Sequence, residues 1–345
     1  MLTNQKMINA VYAAAGELGS SGWALLAKAK LTHLVRDRQG AYTGPAIEDI
    51  DTLTDEEKGH ITAALPPPVP PVTPPPPGPR KPLEGKGFFI WWVKNCEGGD
   101  PEAIAAAAQA AGLTHVLIKV GHGPEPYRYN ITVVNDRVAP LVTALRAIPD
   151  FQVWGWQYTF GEEPEDEARI AVDLVQQYQL DGFVINAEQE YKRDAIRPNA
   201  TRYADALRQD LEDAELEDLP VALSSYRYPK WHQEFPWTAF MPACTIMMPQ
   251  VYWVSRSSPD PVANLQRCLQ QYRDMGWTGP IIPTGAAYNE WQYPSNALKW
   301  LWVTQADEIR AFLPAVKDAD LQAVNFWSWE HALEERWQAV AEFQW

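Results

Sequence analysis

The chain has 345 residues, 46% of them hydrophobic, and a formal net charge of -15, enough apolar material for one large domain with a smaller neighbour. A field of that sign repels phosphate backbones, and no basic cluster offsets it, so nucleic acid is excluded as a partner. No apolar run approaches the ~18 residues of a spanning helix, and the opening residues lack the basic-then-apolar order of a secretory signal; the expectation is no membrane partner, no signal peptide and a chain that is cytoplasmic as synthesised.

The first segment, 1–65, reads as a small all-α domain. KMINAVYAAAGEL and GWALLAKAKLTHLV carry apolar residues at helical spacing, and Leu53-Thr54-Asp55-Glu56-Glu57 has the form of a capped helix start. A domain of this size is marginal by itself, which predicts anchoring or docking on a partner protein. PPPVPPVTPPPPGPR follows, and its proline runs fix φ, remove backbone donors and favour an extended spacer, so 66–84 is read as a proline-rich linker.

From 85 to 345 short β-rich runs alternate with helical ones, the pattern of parallel strands joined by crossover helices. The strands predicted are GFFIWWV (87–93), THVLIKV (114–120), FQVWGWQY (151–158), GFVINAE (182–188), PVALSSY (220–226), TIMMPQVY (245–252), PIIPTG (280–285) and AVNFWSW (323–329). Helical stretches such as PEAIAAAAQAAG, EDEARIAVDLVQQYQL and QADEIRAFLPAVKDA lie between them. Eight such units at this length predict an α/β fold, a (β/α)8 TIM barrel. A doubly wound sheet would want a glycine-rich phosphate turn after the first strand, and Asn95-Cys96-Glu97-Gly98-Gly99 makes a poor one.

A barrel of this kind builds its site from residues that close the strands. Those residues are polar here: Lys119 and His122 after the second run, Gln157 and Tyr158 at the third, Asn186, Glu188 and Glu190 at the fourth, Tyr226 and Arg227 at the fifth, Gln250 and Tyr252 at the sixth, and Trp327, Trp329 and Glu330 at the eighth. On the fourth strand the alternation of side chains puts Val184, Asn186 and Glu188 on one face, with Asn186 and Glu188 pointing into the mouth, where desolvation of Glu188 is expected to suit a general acid. The alternative for Glu188 is an ion pair with Lys119 or Arg227. Trp occurs 16 times, and aromatic planes at strand ends suit the apolar faces of sugar rings as well as ordinary packing. His122 sits between Gly121 and Gly123, where it contacts substrate or turns the chain, and Tyr226-Arg227-Tyr228 reads as a clamp on sugar hydroxyls. His232 and His331 have no second ligand at metal spacing, and the three cysteines, Cys96, Cys244 and Cys268, form no C-x-x-C pair, so neither a metal nor a cofactor is expected.

Asp181-Gly182-Phe183-Val184-Ile185-Asn186-Ala187-Glu188 resembles the D-G-x-D-x-D-x-E strand of family 18 glycoside hydrolases, the chitinases and endo-N-acetylglucosaminidases. The resemblance implies that Glu188 protonates the glycosidic oxygen while the substrate's own 2-acetamido carbonyl, held by the residue at 186, is the nucleophile. Met248-Pro249-Gln250-Val251-Tyr252 is similar to that family's M-x-Y strand, and Trp327 with Trp329 resembles its tryptophan at the base of the sugar subsite. Val184 and Asn186 depart from the pattern, since the family has Asp at both places, and the Asn-Glu pair resembles family 85 endoglycosidases. A two-carboxylate mechanism pairing Glu188 with Glu190 or Glu330 is the alternative; Glu190 also reads as a solvated loop charge and Glu330 as a helix cap.

The expected activity is hydrolysis of an N-acetylated polysaccharide, with cell-wall peptidoglycan favoured over chitin because a helical module, a proline tether and a barrel fit a phage lysin-type or virion-borne wall enzyme. The competing expectation is a barrel that has lost its chemistry and serves as a carbohydrate-binding or structural component.

Overall fold

The computed structural model describes residues 74–345 except 79, 133–134, 254–259 and 293–298, with no side chains described over 290–302. The helical domain expected at 1–65 and the linker residues 66–73 and 79 lie outside the described residues. The chain divides into two compact units, Met1–Val72 with Tyr127–Arg137, and Thr73–Pro126 with Val138–Trp345. In the described part of the first, Ile131 and Asp136 form an antiparallel bridge and Thr132 Oγ1 accepts from Asn135 N; the second unit is the barrel.

Its eight strands are β1 Gly85–Ile90, β2 His115–His122, β3 Gln152–Thr159, β4 Gly182–Ala187, β5 Val221–Tyr226, β6 Ile246–Gln250, β7 Thr284–Ala286 and β8 Ala323–Trp327. Each pairs in parallel with the next, and β1 pairs with both β2 and β8, so the sheet closes on itself. The helices are α1 Pro101–Ala110, α2 Val138–Leu145, α3 Pro164–Tyr178, α4 Asn199–Asp213, α5 Trp237–Phe240, α6 Pro261–Asp274, α7 Ala306–Asp318 and α8 Glu334–Glu342. The (β/α)8 barrel expected from the alternation of runs is therefore the fold. All eight strands fall within the predicted segments or a residue or two beyond them, while α2, the short α5, α8 and a hairpin, Asn289–Gln292 with Lys299–Val303, lie outside the segments named from the sequence.

Local signals explain where helices begin. Asp100 and Asp260 accept the backbone N–H of Ala103 and Ala263 at the starts of α1 and α6, and each is followed by a proline whose missing donor costs nothing at the first helical position. Closure then demands that alternate residues fill the interior. Phe89, Leu117, Trp154, Trp156, Val184, Met248 and Ile282 form one buried cluster with Ala222 and Ala323, the mixture of large and small side chains that fills a barrel interior. The opposite faces meet the helices: Phe88 stacks on Trp337 of α8 at 4.4 Å between centroids. Among the described residues no helix is long and apolar enough to cross a membrane.

Candidate active site

The D-G start of β4 is scaffold. Asp181 Oδ2 accepts from the Val153 N–H at 2.7 Å and lies 3.5 Å from the Arg146 guanidinium, tying β3 and the end of α2 to β4. Gly182 makes room for a ring: a Cβ there would stand 2.5 Å from the Trp154 indole. Beyond it Val184 is part of the apolar interior, Asn186 is 7% exposed, and Glu188 projects half-buried from the strand end.

Glu188 is where the strands converge. Its Oε1 accepts from Asn186 Nδ2 at 2.9 Å and from Gln250 Nε2, at the end of β6, at 2.8 Å. Burial, followed by the charges of Glu188 and Glu190, pushes the Tyr158 and Tyr226 hydroxyls up, and burial with the neighbouring Tyr288 and Glu188 does the same to Tyr252. These hydroxyls are firm proton donors at neutral pH. Glu190 takes one of them, accepting from Tyr158 OH at 2.8 Å, and it also lines a cleft of about 470 Å³ with Phe160, Glu162, Gln189 and Arg193. It is therefore a hydrogen-bonded wall of the mouth, more than the solvated loop charge its position in the sequence suggested.

The floor is aromatic. Trp327 packs on Phe89, Trp91 and Trp156 at 5.7, 5.9 and 5.4 Å between centroids, and the Trp156 indole N–H donates to Ile90 O. Lys119, 3% exposed, places Nζ 4.5 Å from the Trp156 centroid, 5.5 Å from Trp91 and 5.8 Å from Tyr158. Burial lowers its pKa to about 7, an effect opposed by the charge of Glu188. Trp91 and Trp156 escaped the sequence reading, although the spacing Phe89-Trp91 and Trp154-Trp156-Tyr158 is the strand alternation that assigns them inward.

Four residues expected at the site are placed otherwise. Gln157 faces out of the barrel, fully buried, donating to Gly123 O and Glu167 O and accepting from Tyr203 OH; it holds the framework. Arg227 lies just past the end of β5, over the Tyr228 ring at 4.9 Å, and Tyr228 is bonded to Asn264 of α6. Trp329 lies past the end of β8 in a turn and is buried between Phe88 and Trp337. Glu330 is turned to the end of β1: its Oε1 accepts the Trp91 and Trp92 N–H groups at 3.1 and 3.0 Å, and burial raises its pKa. His122 is exposed at the rim, edge-on to Phe160 at 4.9 Å. His232 lies against Lys192, with 2.6 Å between Nδ1 and Nζ, and stacks on Tyr226 at 3.7 Å. Among the described residues no three His, Cys, Asp or Glu side chains gather as a metal site.

No family profile and no curated protein sequence matches this chain. Solved structures do. A family 18 N-acetylglucosaminidase from Paenibacillus barengoltzii superposes with a TM-score of 0.51 at 14% identity, over 75% of this chain and 99% of that one. A family 18 chitinase from Cycas revoluta, solved with allosamidin, gives a TM-score of 0.55 at 11% identity over 74% and 98%. The spore cortex-lytic enzyme of Bacillus megaterium gives 0.51 at 11% identity over 97% of this chain and 84% of its own. At these identities the likeness speaks for the fold, and the fold is that of the family 18 chitinases and N-acetylglucosaminidases: a family 18-like TIM barrel.

Proposed function

We propose that the barrel is a glycoside hydrolase acting on N-acetylated polysaccharides, with Glu188 as proton donor. The observation that supports this reading is the convergence of the Asn186 and Gln250 amides on one half-buried carboxyl at the strand ends, beside the Tyr158–Glu190 hydrogen bond and a barrel mouth floored by Trp327 and Trp156. In the substrate-assisted course, Glu188 gives its proton to the glycosidic oxygen as the bond to C1 breaks, and the 2-acetamido carbonyl oxygen bonds to C1 to form an oxazolinium ion. The Glu188 carboxylate then takes a proton from water, which adds at C1 and restores the acetamido group with retention. Asn186 orients the acetamido group through its amide, and Trp327 carries the sugar ring. Peptidoglycan is favoured over chitin by the tether-and-module layout and by the cortex-lytic character of one structural neighbour, and this reading includes delivery to a cell wall and an anchoring or partner-binding role for residues 1–65.

The test is release of reducing ends from purified peptidoglycan and from chitin oligosaccharides by the wild-type protein and by Glu188→Gln. Loss of a general acid lowers turnover by roughly 10²–10⁴-fold; equal turnover by both proteins removes Glu188 from the role.

A second reading, a glycan-binding barrel without chemistry, is favoured by one specific feature. Both amide donors address the same oxygen of Glu188, an arrangement that suits a carboxylate held as an acceptor. Retention of oligosaccharide with no product after prolonged incubation selects this reading.

A further inference from the structure

Past the end of β5 the chain gathers positive charge. Arg227 and Arg267, the second an exposed residue of α6, hold their guanidinium carbons 4.9 and 5.6 Å from the centroid of the Tyr228 ring. Arg227 Nη1 is buried with no hydrogen-bond partner, and among the described residues neither guanidinium reaches a carboxylate. The acids close by are engaged elsewhere: Asp260 accepts the Ala263 N–H at the start of α6, and Asp274 accepts from Lys230 and Gln270. Lys192 adds a third cation, its Nζ 4.2 Å from the Tyr226 centroid and donating to His232 Nδ1 at 2.6 Å. Burial and then the Lys192 charge, opposed by Glu234, hold the histidine below its usual range, so it accepts that bond as a neutral ring. In a chain of net charge -15 acidic partners are plentiful, and cations left without one repel each other at a cost that a bound anion removes. An aromatic face stands beside them. Trp231 is 60% exposed, yet its N–H donates to Tyr228 O at 3.0 Å and its ring meets Tyr228 edge-on at 4.6 Å. The next residue, His232, stacks on Tyr226 at 3.7 Å, which joins this rim to the barrel mouth.

We propose that Arg227 and Arg267, with Trp231 beside them, form a subsite for a carboxylate-bearing sugar of the glycan, the indole carrying the ring and the guanidinium groups holding its carboxylate. The inference rests on the reading of the barrel as a protein that acts on N-acetylated polysaccharides, and it deepens that reading by making the glycan an acidic one. A guanidinium fork meets a carboxylate with two parallel bonds, whereas a neutral N-acetylglucosamine chain offers it hydroxyls and amide carbonyls alone. The local positive field also counters the repulsion that the rest of this acidic chain exerts on an anionic substrate. The carboxylate has two sources. One is the free lactyl ether of a muramic sugar; the other is a peptide stem, which takes up the lactyl carboxyl as an amide and brings carboxylates of its own.

The experiment is calorimetric binding to full-length Glu188→Gln, which keeps the glycans intact. The probes are chitin tetrasaccharide, an alternating N-acetylglucosamine and N-acetylmuramic acid tetrasaccharide without peptide, and the same tetrasaccharide with its peptide stems. An acidic probe is expected to bind roughly tenfold or more tightly than the chitin probe, with a gap that narrows as salt is raised. A gap already present without peptide assigns the carboxylate to the lactyl group, and one that needs the stems assigns it to the peptide. Adding Arg227→Gln is expected to remove most of the gap, and Arg267→Gln, at an exposed position that does not threaten folding, to shrink it about two- to fivefold. Neither change alters affinity for the chitin probe, while Trp231→Ala weakens binding of all three probes. Equal affinity for neutral and acidic probes, absence of binding included, overturns the proposal, as does a gap that neither arginine variant moves. Release of reducing ends by the wild-type protein is scored separately: if there is none and the arginine-dependent gap persists, the hydrolase reading falls and the subsite stands.

Discussion

Asn186 and Glu188, two positions apart on β4, are joined side chain to side chain by a 2.9 Å hydrogen bond from Nδ2 to Oε1. The strand alternation puts both on the inner face, and the bond leaves the Asn186 carbonyl oxygen as the acceptor for a substrate N–H. A neutral amide orients an acetamido group but supplies no charge to balance an oxazolinium ion. Asn186→Asp is therefore expected to raise kcat on N-acetylated glycans by about tenfold, the equivalent of roughly 1.4 kcal/mol of transition-state stabilisation. Unchanged or reduced kcat in that variant shows that charge balance at this position does not limit the reaction.

The two tryptophans at and beyond the end of β8 have different work. Trp327 is half-buried on the aromatic floor, whereas Trp329 is 2% exposed and packed between β1 and α8. Trp327→Ala is expected to weaken glycan binding, measured by calorimetry, by roughly 1–3 kcal/mol with little loss of stability. Trp329→Ala is expected to cost about 3–5 kcal/mol in urea unfolding. The reverse pattern contradicts this division of roles.

Gly182 lies against the Trp154 ring. Gly182→Ala overpacks the interior and is expected to destabilise the barrel by about 1–3 kcal/mol. The companion Gly182→Ala with Trp154→Phe is expected to regain part of that loss, because the smaller ring vacates the space a methyl group needs. A double variant no more stable than Gly182→Ala argues against the clash.

Inside the barrel, His115 Nε2 is 2.7 Å from Asn325 Oδ1, and burial lowers the histidine pKa from 6.5 to about 4. Between those values the unfolded chain binds a proton that the folded one refuses, so stability is full above 6.5 and is lost as pH falls through about 4. The loss attributable to this residue is about 3 kcal/mol. Denaturant unfolding of wild type and His115→Gln at pH 7 and pH 4 checks it, since the variant is expected to show a flatter profile over that interval.

How far the site was legible follows from the period of the strand. Applied to Trp154-Trp156-Tyr158, the alternation assigns Gln157 to the opposite face. Gln157 was taken for a site residue because it stands at a strand end, a criterion that ignores which way the side chain points, and Arg227 lies one residue past the end of β5, where the alternation gives no assignment. The rule fails for a different reason at Trp329 and Glu330. They share or follow the parity of Trp327, but β8 stops at Trp327, and past the last ladder bond the backbone turns and the alternation no longer holds.

The sequence by itself determined the eight alternating units, the closed barrel they make, and the inward set Val184, Asn186 and Glu188, because each depends only on local periodicity and chain length. Only the tertiary structure decided that Gln250 reaches Glu188 from β6, that Lys119 lies among three rings drawn from β1 and β3, and that the D-G motif braces β3 and houses Trp154. Those contacts join residues from different strands, and their geometry comes from the register and curvature of the closed sheet, which no spacing along a single strand encodes.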